Sequence, residues 1–158
     1  MIRRANPGDV KAVLNLLQQL GYSPDAEQVL ALLETGSTGN QTTGDTTDEV
    51  YVYEQGLCVV AFVALHRQVY FPTMEFLTRV MALCVDEAQR SRGIGQYLLR
   101  FVENLAYQRG DRAVEVTSSL QRDRTHQFYL NQGYSQHSYK FIKEVAVTAP
   151  SENDNWRL

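Results

Sequence analysis

The sequence predicts one domain of the α/β (α+β) class: a mixed, mostly antiparallel central sheet of six to seven strands with helices on both faces. Three observations carry this. Apolar residues recur at helical spacing in separated stretches, and each such stripe has to be buried on something. Elsewhere the period drops to two, in runs rich in Val, Leu, Phe and Tyr. The order of the segments, β-α-α-β-β-β-α-β-α-β, interleaves helices with strands rather than separating them.

Each element has its own signal. Ile2 to Ala5 is strand-like, and Asn6-Pro7 supplies a cap and a first-turn proline for the helix that follows. Val10, Val13, Leu14, Leu16, Leu17 and Leu20 form one face of that helix, and Gly21 stops it. Ser23-Pro24 restarts a helix through Val29, Leu30, Leu32 and Leu33. Gly36 to Asp48 is dominated by Gly, Thr, Ser, Asn and Asp and reads as a flexible loop. Val50 and Val52, then Leu57 to Leu65, read as two strands joined at Glu54-Gln55-Gly56, and Phe76 to Val85 as another. A helix beginning near Gly93 places Ile94, Tyr97, Leu98, Phe101, Val102 and Leu105 on one face and closes at Gly110. Ala113 to Thr117 is a short strand, Arg122 to Asn131 a helix ended by Gly133, and Tyr134 to Val145 a last strand. Residues 1–145 are expected to form the domain and 146–158 a polar tail.

Composition bounds the function classes. The 158 residues, 44% hydrophobic and 21% charged, match a globular domain. A chain of this length buries roughly two-thirds of its unfolded surface, so no disulfide or structural metal is needed. Cys58 and Cys84 lie in apolar runs and read as small hydrophobes; with no apolar leader in MIRRANPGDV, they point to a reducing, cytoplasmic setting. No apolar run reaches the roughly 18 residues of a membrane span. A formal charge of −3 gives no reason to expect nucleic acid, and nothing here excludes a homodimer.

Local charge says more. From Asp25 to Glu54 there are seven acidic residues, Asp45, Asp48 and Glu49 among them, and no Lys or Arg. From Glu87 to Arg124, seven arginines outnumber five acids. The first stretch is expected to attract a cationic amine, and the second an anion.

Arg90-Ser91-Arg92-Gly93-Ile94-Gly95 joins a strand to a helix. Its glycines allow close backbone approach, and consecutive amides at a helix N-terminus seat a phosphate. A G-x-G turn alone is more often just a tight turn, and it matches neither the P-loop nor the dinucleotide fingerprint. Leu83-Cys84-Val85 upstream and Phe128-Tyr129-Leu130-Asn131-Gln132-Gly133-Tyr134 downstream complete a pattern, L-x-V, R-x-x-G-x-G, F-Y-x-x-x-G-Y, that resembles the GNAT superfamily of acetyl-CoA-dependent N-acetyltransferases. Glu115 to Ser119, Arg122, His126 and Tyr139-Lys140-Phe141 are similar to the corresponding part of small acetyltransferases of aminoalkylphosphonates and aminoglycosides.

The resemblance implies a GNAT-like acyl-CoA N-acyltransferase fold with a V-shaped opening between the Phe76–Val85 and Ala113–Thr117 strands. It further implies acetyl-CoA as co-substrate, its pyrophosphate on Arg90, Ser91, Arg92, Gly93, Ile94, Gly95 and Gln96, and its pantetheine along Leu83, Cys84 and Val85. A small-molecule primary amine is then the acceptor. Tyr129 falls at the position of the family's general acid, and the Val85 amide is the expected oxyanion donor. Related enzymes often carry a glutamate six residues before Val85; here that residue is Arg79. The base is left open between Glu75, His66 and a water chain. Ser119 and His126 are expected beside the cofactor, and Asp48, Glu49, Tyr51 and Arg79 on the acceptor side. A non-catalytic acyl-CoA-binding module and a protein N-acetyltransferase are the competing readings.

Overall fold

Five strands form one sheet, in the order β1-β2-β3-β4-β5, in the computed structural model, which describes residues 1–37, 47–138 and 140–143. The elements run β1 (Ile2–Arg4), α1 (Val10–Gln19), α2 (Ala26–Ser37), β2 (Thr47–Gln55), β3 (Cys58–Tyr70), β4 (Glu75–Val85), α3 (Ile94–Gln108), β5 (Ala113–Val116) and α4 (Asp123–Asn131). The first three pairings are antiparallel; β4 and β5 are parallel, joined by α3 as the crossover.

Both faces of the sheet are covered. α1 and α2 bury Val13, Leu16, Val29 and Leu33 against Val50, Val52, Phe62 and Cys84 on one face. On the other, α3 buries Ile94, Leu98 and Val102 against Ala61, Val63, Leu65 and Val80. Leu98 and Val102 are fully buried, and truncating a leucine at such a position costs about 2–5 kcal/mol. The entry to α1 is fixed as the sequence expects. Asn6 Oδ1 accepts from the Gly8 amide at 2.9 Å, Asp9 returns a bond to the Asn6 amide at 2.9 Å, and Arg3 grips both Asp9 oxygens. The β2–β3 turn needs a left-handed residue, and Gly56 provides it at φ 65°.

The sheet differs from expectation at its far edge, with five strands among the described residues rather than six or seven. Residues 134–138 and 140–143 of the anticipated Tyr134–Val145 strand are irregular, and Phe141 is 92% exposed. The segment Ser135-Gln136-His137-Ser138 has no apolar alternation to bury, and the Ser135 hydroxyl and His137 bond each other at 2.7 Å instead of a ladder. Of the expected Gly36–Asp48 loop, Gly36 and Ser37 belong to α2 and Thr47 and Asp48 to β2; residues 38–46, Asp45 among them, and Tyr139 lie outside the described residues.

Candidate active site

β4 and β5 pair only from Leu77↔Ala113 to Val80↔Val116, after which β4 continues alone to Val85. The register with β3 jumps from Leu65↔Val80 to Ala64↔Ala82, so Met81 is an extra, bulged residue, 58% exposed, at the point where the two strands part. The wedge between them is a cleft of about 160 Å³. Met81, Ala82 and Leu83 form one wall and Thr117, Ser118 and Ser119 the other; Arg122 and Tyr129 close it from the α4 side, and Leu20 and Tyr22 from the end of α1.

The open edge of β4 offers its own backbone. The Asp86 amide donates to the Val60 carbonyl at 2.8 Å, which makes Ala61↔Val85 and Val63↔Leu83 non-hydrogen-bonded pairs of the antiparallel ladder. The N–H groups of Leu83 and Val85 therefore point away from β3, into the wedge. Cys84 alternates to the opposite direction, and its thiol is buried in the core under α1, where burial pushes its pKa up.

The Arg90–Gly95 turn ends at the same place. Gly93 caps α3 in the left-handed conformation, φ 79°, and no side chain caps the helix. The first intrahelical bond runs from the Tyr97 amide to the Gly93 carbonyl, which leaves the amides of Ile94, Gly95 and Gln96 unpaired within the helix. A Cβ on Gly93 would meet nothing within 4 Å, whereas one on Gly95 would sit 3.4 Å from the Phe128 ring. Gly93 thus faces open space beside the amides, and Gly95 lets α4 pack against α3. Ser91 is also left-handed, at φ 61°, and Arg90 Nε donates to the Val85 carbonyl at 3.0 Å, tying the turn to the end of β4. An uncapped helix N-terminus with open room above a glycine, continuous with an unpaired strand edge, fits a pyrophosphate followed by an amide-bearing arm.

Tyr129 packs edge-on against Phe128 and Tyr134, at 5.3 and 5.7 Å between ring centres. Burial raises its hydroxyl above the ordinary phenol value, with Arg122 working weakly against that. Across the cleft, Ser118 Oγ is buried with no hydrogen-bond partner among the described residues. The sequence reading passed over Ser118 and chose Ser119, whose carbonyl accepts from His126 Nε2 at 2.9 Å. His126 therefore braces the wall of the cleft.

The expected acceptor-side residues are dispersed. Glu49 is 5% exposed on the α3 face, bonded to Arg4 at 2.8 Å and to Arg109 at 2.7 and 3.0 Å. Tyr51, on the same face, packs edge-on against Phe101, with ring centres 4.8 Å apart. Glu75 lies at the opposite end of β4 from the cleft, paired with Arg112 at 3.3 Å. Glu54 is taken by Arg3. Glu49 and Glu54 are thus spent on internal pairs, whereas Asp25, Glu27 and Glu34 are exposed and Asp48 stands exposed beside His66. Asp48 and Arg79 do share one level of the sheet, across which Asp48, His66, Arg79 and Glu115 stand side by side on β2, β3, β4 and β5.

A family model described as an acetyltransferase (GNAT) domain matches residues 46–136, from the start of β2 to just beyond α4, more than half of the chain. The chain belongs to this acetyltransferase family. Over 87 residues it is 32% identical to the aminoalkylphosphonate N-acetyltransferase of Salmonella typhimurium, an alignment that covers 55% of this chain and 56% of the relative, about half the length of each. Solved structures share the fold at lower identity. A ribosomal-protein-alanine N-acetyltransferase from Brucella melitensis superposes with a TM-score of 0.74 at 15% identity, over 92% of this chain and 99% of that one. An aminoglycoside acetyltransferase from an uncultured soil metagenomic sample, crystallised with sisomicin, gives 0.72 at 18%, over 92% and 96%. Tyr129 lines the wedge between β4 and β5, and Gly95 of the Arg90–Gly95 turn lies beside Phe128 and Val85, outside the cleft lining. Nothing local in the sequence marked Ser118, the Met81 bulge, or Leu20 and Tyr22 just after α1 as residues of the cleft. No described helix of the acetyltransferase is long and apolar enough to cross a membrane.

Proposed function

We propose that this acetyltransferase transfers the acetyl group of acetyl-CoA directly to a primary amine of a small molecule, both substrates being bound together. The observation that carries the reading is the unpaired β4 edge, which runs from the uncapped start of α3 into a cleft shared with Tyr129. The amides of Ile94, Gly95 and Gln96, helped by the helix dipole, would hold the pyrophosphate, with Arg90, Ser91, Arg92 and Gly93 shaping the turn. The pantetheine arm would pair with Leu83 and Val85 as an added strand.

Leu83 lines the cleft with Tyr129 while Val85 lies outside it, so the Leu83 amide suits the developing oxyanion and the Val85 amide the arm behind it. Tyr129, kept neutral by burial, would protonate the departing thiolate. Cys84, buried and with its thiol pushed toward the protonated form, makes a poor nucleophile, which favours direct attack over an acetyl-enzyme.

The charge around the cleft supports an acceptor that carries an acid group as well as the amine. Arg122 lines it, none of the described residues lining it is acidic, and Glu49 and Glu54, two of the acids expected to attract a cation, are internally paired; Arg79, one residue before the cleft, is held by Glu115. A relative named for aminoalkylphosphonates is consistent with such a zwitterion. The test is release of free thiol from acetyl-CoA over a panel of primary amines, with zwitterionic, cationic and neutral members, and of peptides. Turnover confined to small amines, zwitterions foremost, is expected. Tight acetyl-CoA binding without turnover, or acetylation of peptides alone, overturns the reading.

A further inference from the structure

Resting on that reading, the question left by Arg79 is where the amine's proton goes. An attacking amine must lose a proton as the bond to the carbonyl carbon forms, and the strand position preceding the cleft supplies a guanidinium, which cannot accept one. Most other described groups are committed or remote. Glu75 is at the far end of β4, Glu49 is buried on the opposite face, and His126 uses Nε2 to donate to the Ser119 carbonyl. Arg79 is itself occupied, with Nε 3.0 Å and a terminal nitrogen 2.8 Å from Glu115 Oε1.

Next to Arg79, in register on β3, is His66. Its Nδ1 lies 2.7 Å from Asp48 Oδ1 on β2. A carboxylate only accepts, so Nδ1 carries the hydrogen and Nε2 holds the free lone pair. The side chain is 31% exposed, open to water, and one rung of the ladder from Val80, where the cleft begins; about 6 Å of backbone separates the two at ordinary strand spacings. We propose that His66, oriented by Asp48, is the acceptor-side base of this enzyme and takes the amine proton through a bridging water. The nitrogen lone pair forms the C–N bond, its proton passes through the water to Nε2, the C–S bond breaks, and the thiolate takes the Tyr129 proton. The resulting imidazolium keeps its Nδ1–H on Asp48, then returns its proton to solvent as the phenolate recovers one. The charges facing His66 are Asp48 from β2 and Arg79 from β4, the latter neutralised by Glu115 from β5. The charged side chains of α1 and α2, which cover this face, are Lys11, Glu27 and Glu34; all are exposed, and no ion pair joins them to His66.

The test uses the full chain and an acceptor from the amine panel, with kcat followed from pH 5 to 9 and repeated with a second acceptor of different basicity, so that a limb shared by both belongs to the enzyme. His66→Gln is expected to lower kcat about a hundredfold at pH 7, to abolish the shared acid limb, and to regain part of its rate with added imidazole, while acetyl-CoA binds as to the wild type by calorimetry. Asp48→Asn, at a more exposed carboxylate, is expected to lower kcat less, with acetyl-CoA bound as by the wild type; it takes the place of His66→Gln if that variant does not fold. Wild-type turnover together with a His66→Gln rate within twofold and the limb intact overturns the inference alone. Wild-type protein that turns over no amine overturns it together with the acetyl-transfer reading.

Discussion

Beside the C-terminal end of α3, every buried charge has a partner. Glu49 is gripped by Arg4 and Arg109, and Asp111 by Arg67 at 2.7 Å and the Thr78 hydroxyl at 2.6 Å. At the N-terminal end of the same helix, the α3 amides are uncapped, the Leu83 and Val85 amides point off the sheet, and Ser118 Oγ is buried without a partner among the described residues. An unpaired buried polar group costs about 1–3 kcal/mol, so a fold that satisfies one end fully and leaves the other wanting is poised for a ligand at the second. The two ends should therefore respond differently to mutation, one through stability and the other through binding and rate.

The largest effect belongs to the satisfied end. Glu49→Gln leaves Arg109 and Arg4 without their carboxylate, and removing one partner of a buried ion pair costs about 3 kcal/mol or more. For a chain of this size that is a fall in Tm of about 10 °C. Acetyl-CoA affinity, by calorimetry, should not change. If Glu49 served the acceptor, as its place in the acidic stretch predicts, the pattern would invert, with KM raised and Tm untouched.

Slightly smaller in energy, and of the opposite kind, is the loss of the Tyr129 hydroxyl. Tyr129→Phe keeps the ring packing on Phe128 and Tyr134, so Tm and cofactor affinity should hold while kcat falls about a hundredfold. The pH dependence has a definite sign. Burial raises the hydroxyl's pKa above the ordinary value of about 10, so the proton-bearing form persists through neutral and mildly alkaline pH. Wild-type kcat should show no alkaline fall assignable to Tyr129 below about pH 10. A variant within twofold of wild type would make Tyr129 a packing residue.

These contrasts also separate what was readable in the sequence from what was not. The stripes of α1 and α3, the Gly56 turn and the Gly93–Gly95 turn are local, each fixed by spacing or by a backbone conformation that glycine allows, and all were legible. The wedge was legible only through the resemblance, because it depends on β5 stopping at Val116 while β4 runs on to Val85. Glu49 was misplaced because helices cover both faces of the sheet, so alternation does not tell which face a carboxylate takes. Its decisive partner, Arg109, is 60 residues away. The same distance effect hid the row from Asp48 to Glu115, four residues from four strands that only the register aligns.

The unsatisfied end can be probed without touching its chemistry. Gly93 sits at φ 79° with open space where a Cβ would go, so Gly93→Val places a branched side chain in the room beside the α3 amides. Acetyl-CoA should bind about tenfold more weakly, a loss of about 1.4 kcal/mol, with the left-handed backbone adding some strain. Gly95→Ala should act differently, since its Cβ would only reach ordinary contact with the Phe128 ring at 3.4 Å, and acetyl-CoA affinity should stay within about twofold of wild type. Equal affinity for acetyl-CoA in Gly93→Val and wild type would mean that the turn is only a turn.

The smallest effect distinguishes the two arginines of the turn. Arg90 is fixed by its bond to the Val85 carbonyl, so Arg90→Gln should loosen the junction between β4 and α3 as well as lower the local potential. Arg92 has no comparable tie to β4 and would act through its charge alone. Exposed charges contribute little each, so either substitution should weaken acetyl-CoA binding only about threefold at low salt. Raising ionic strength to about 1 M shortens the screening length to about 3 Å and removes what depends on field alone. The deficit of Arg92→Gln should then vanish, whereas that of Arg90→Gln should persist in part because the Val85 carbonyl has still lost its donor. Identical salt dependence of the two variants would show that the Arg90 bond positions nothing.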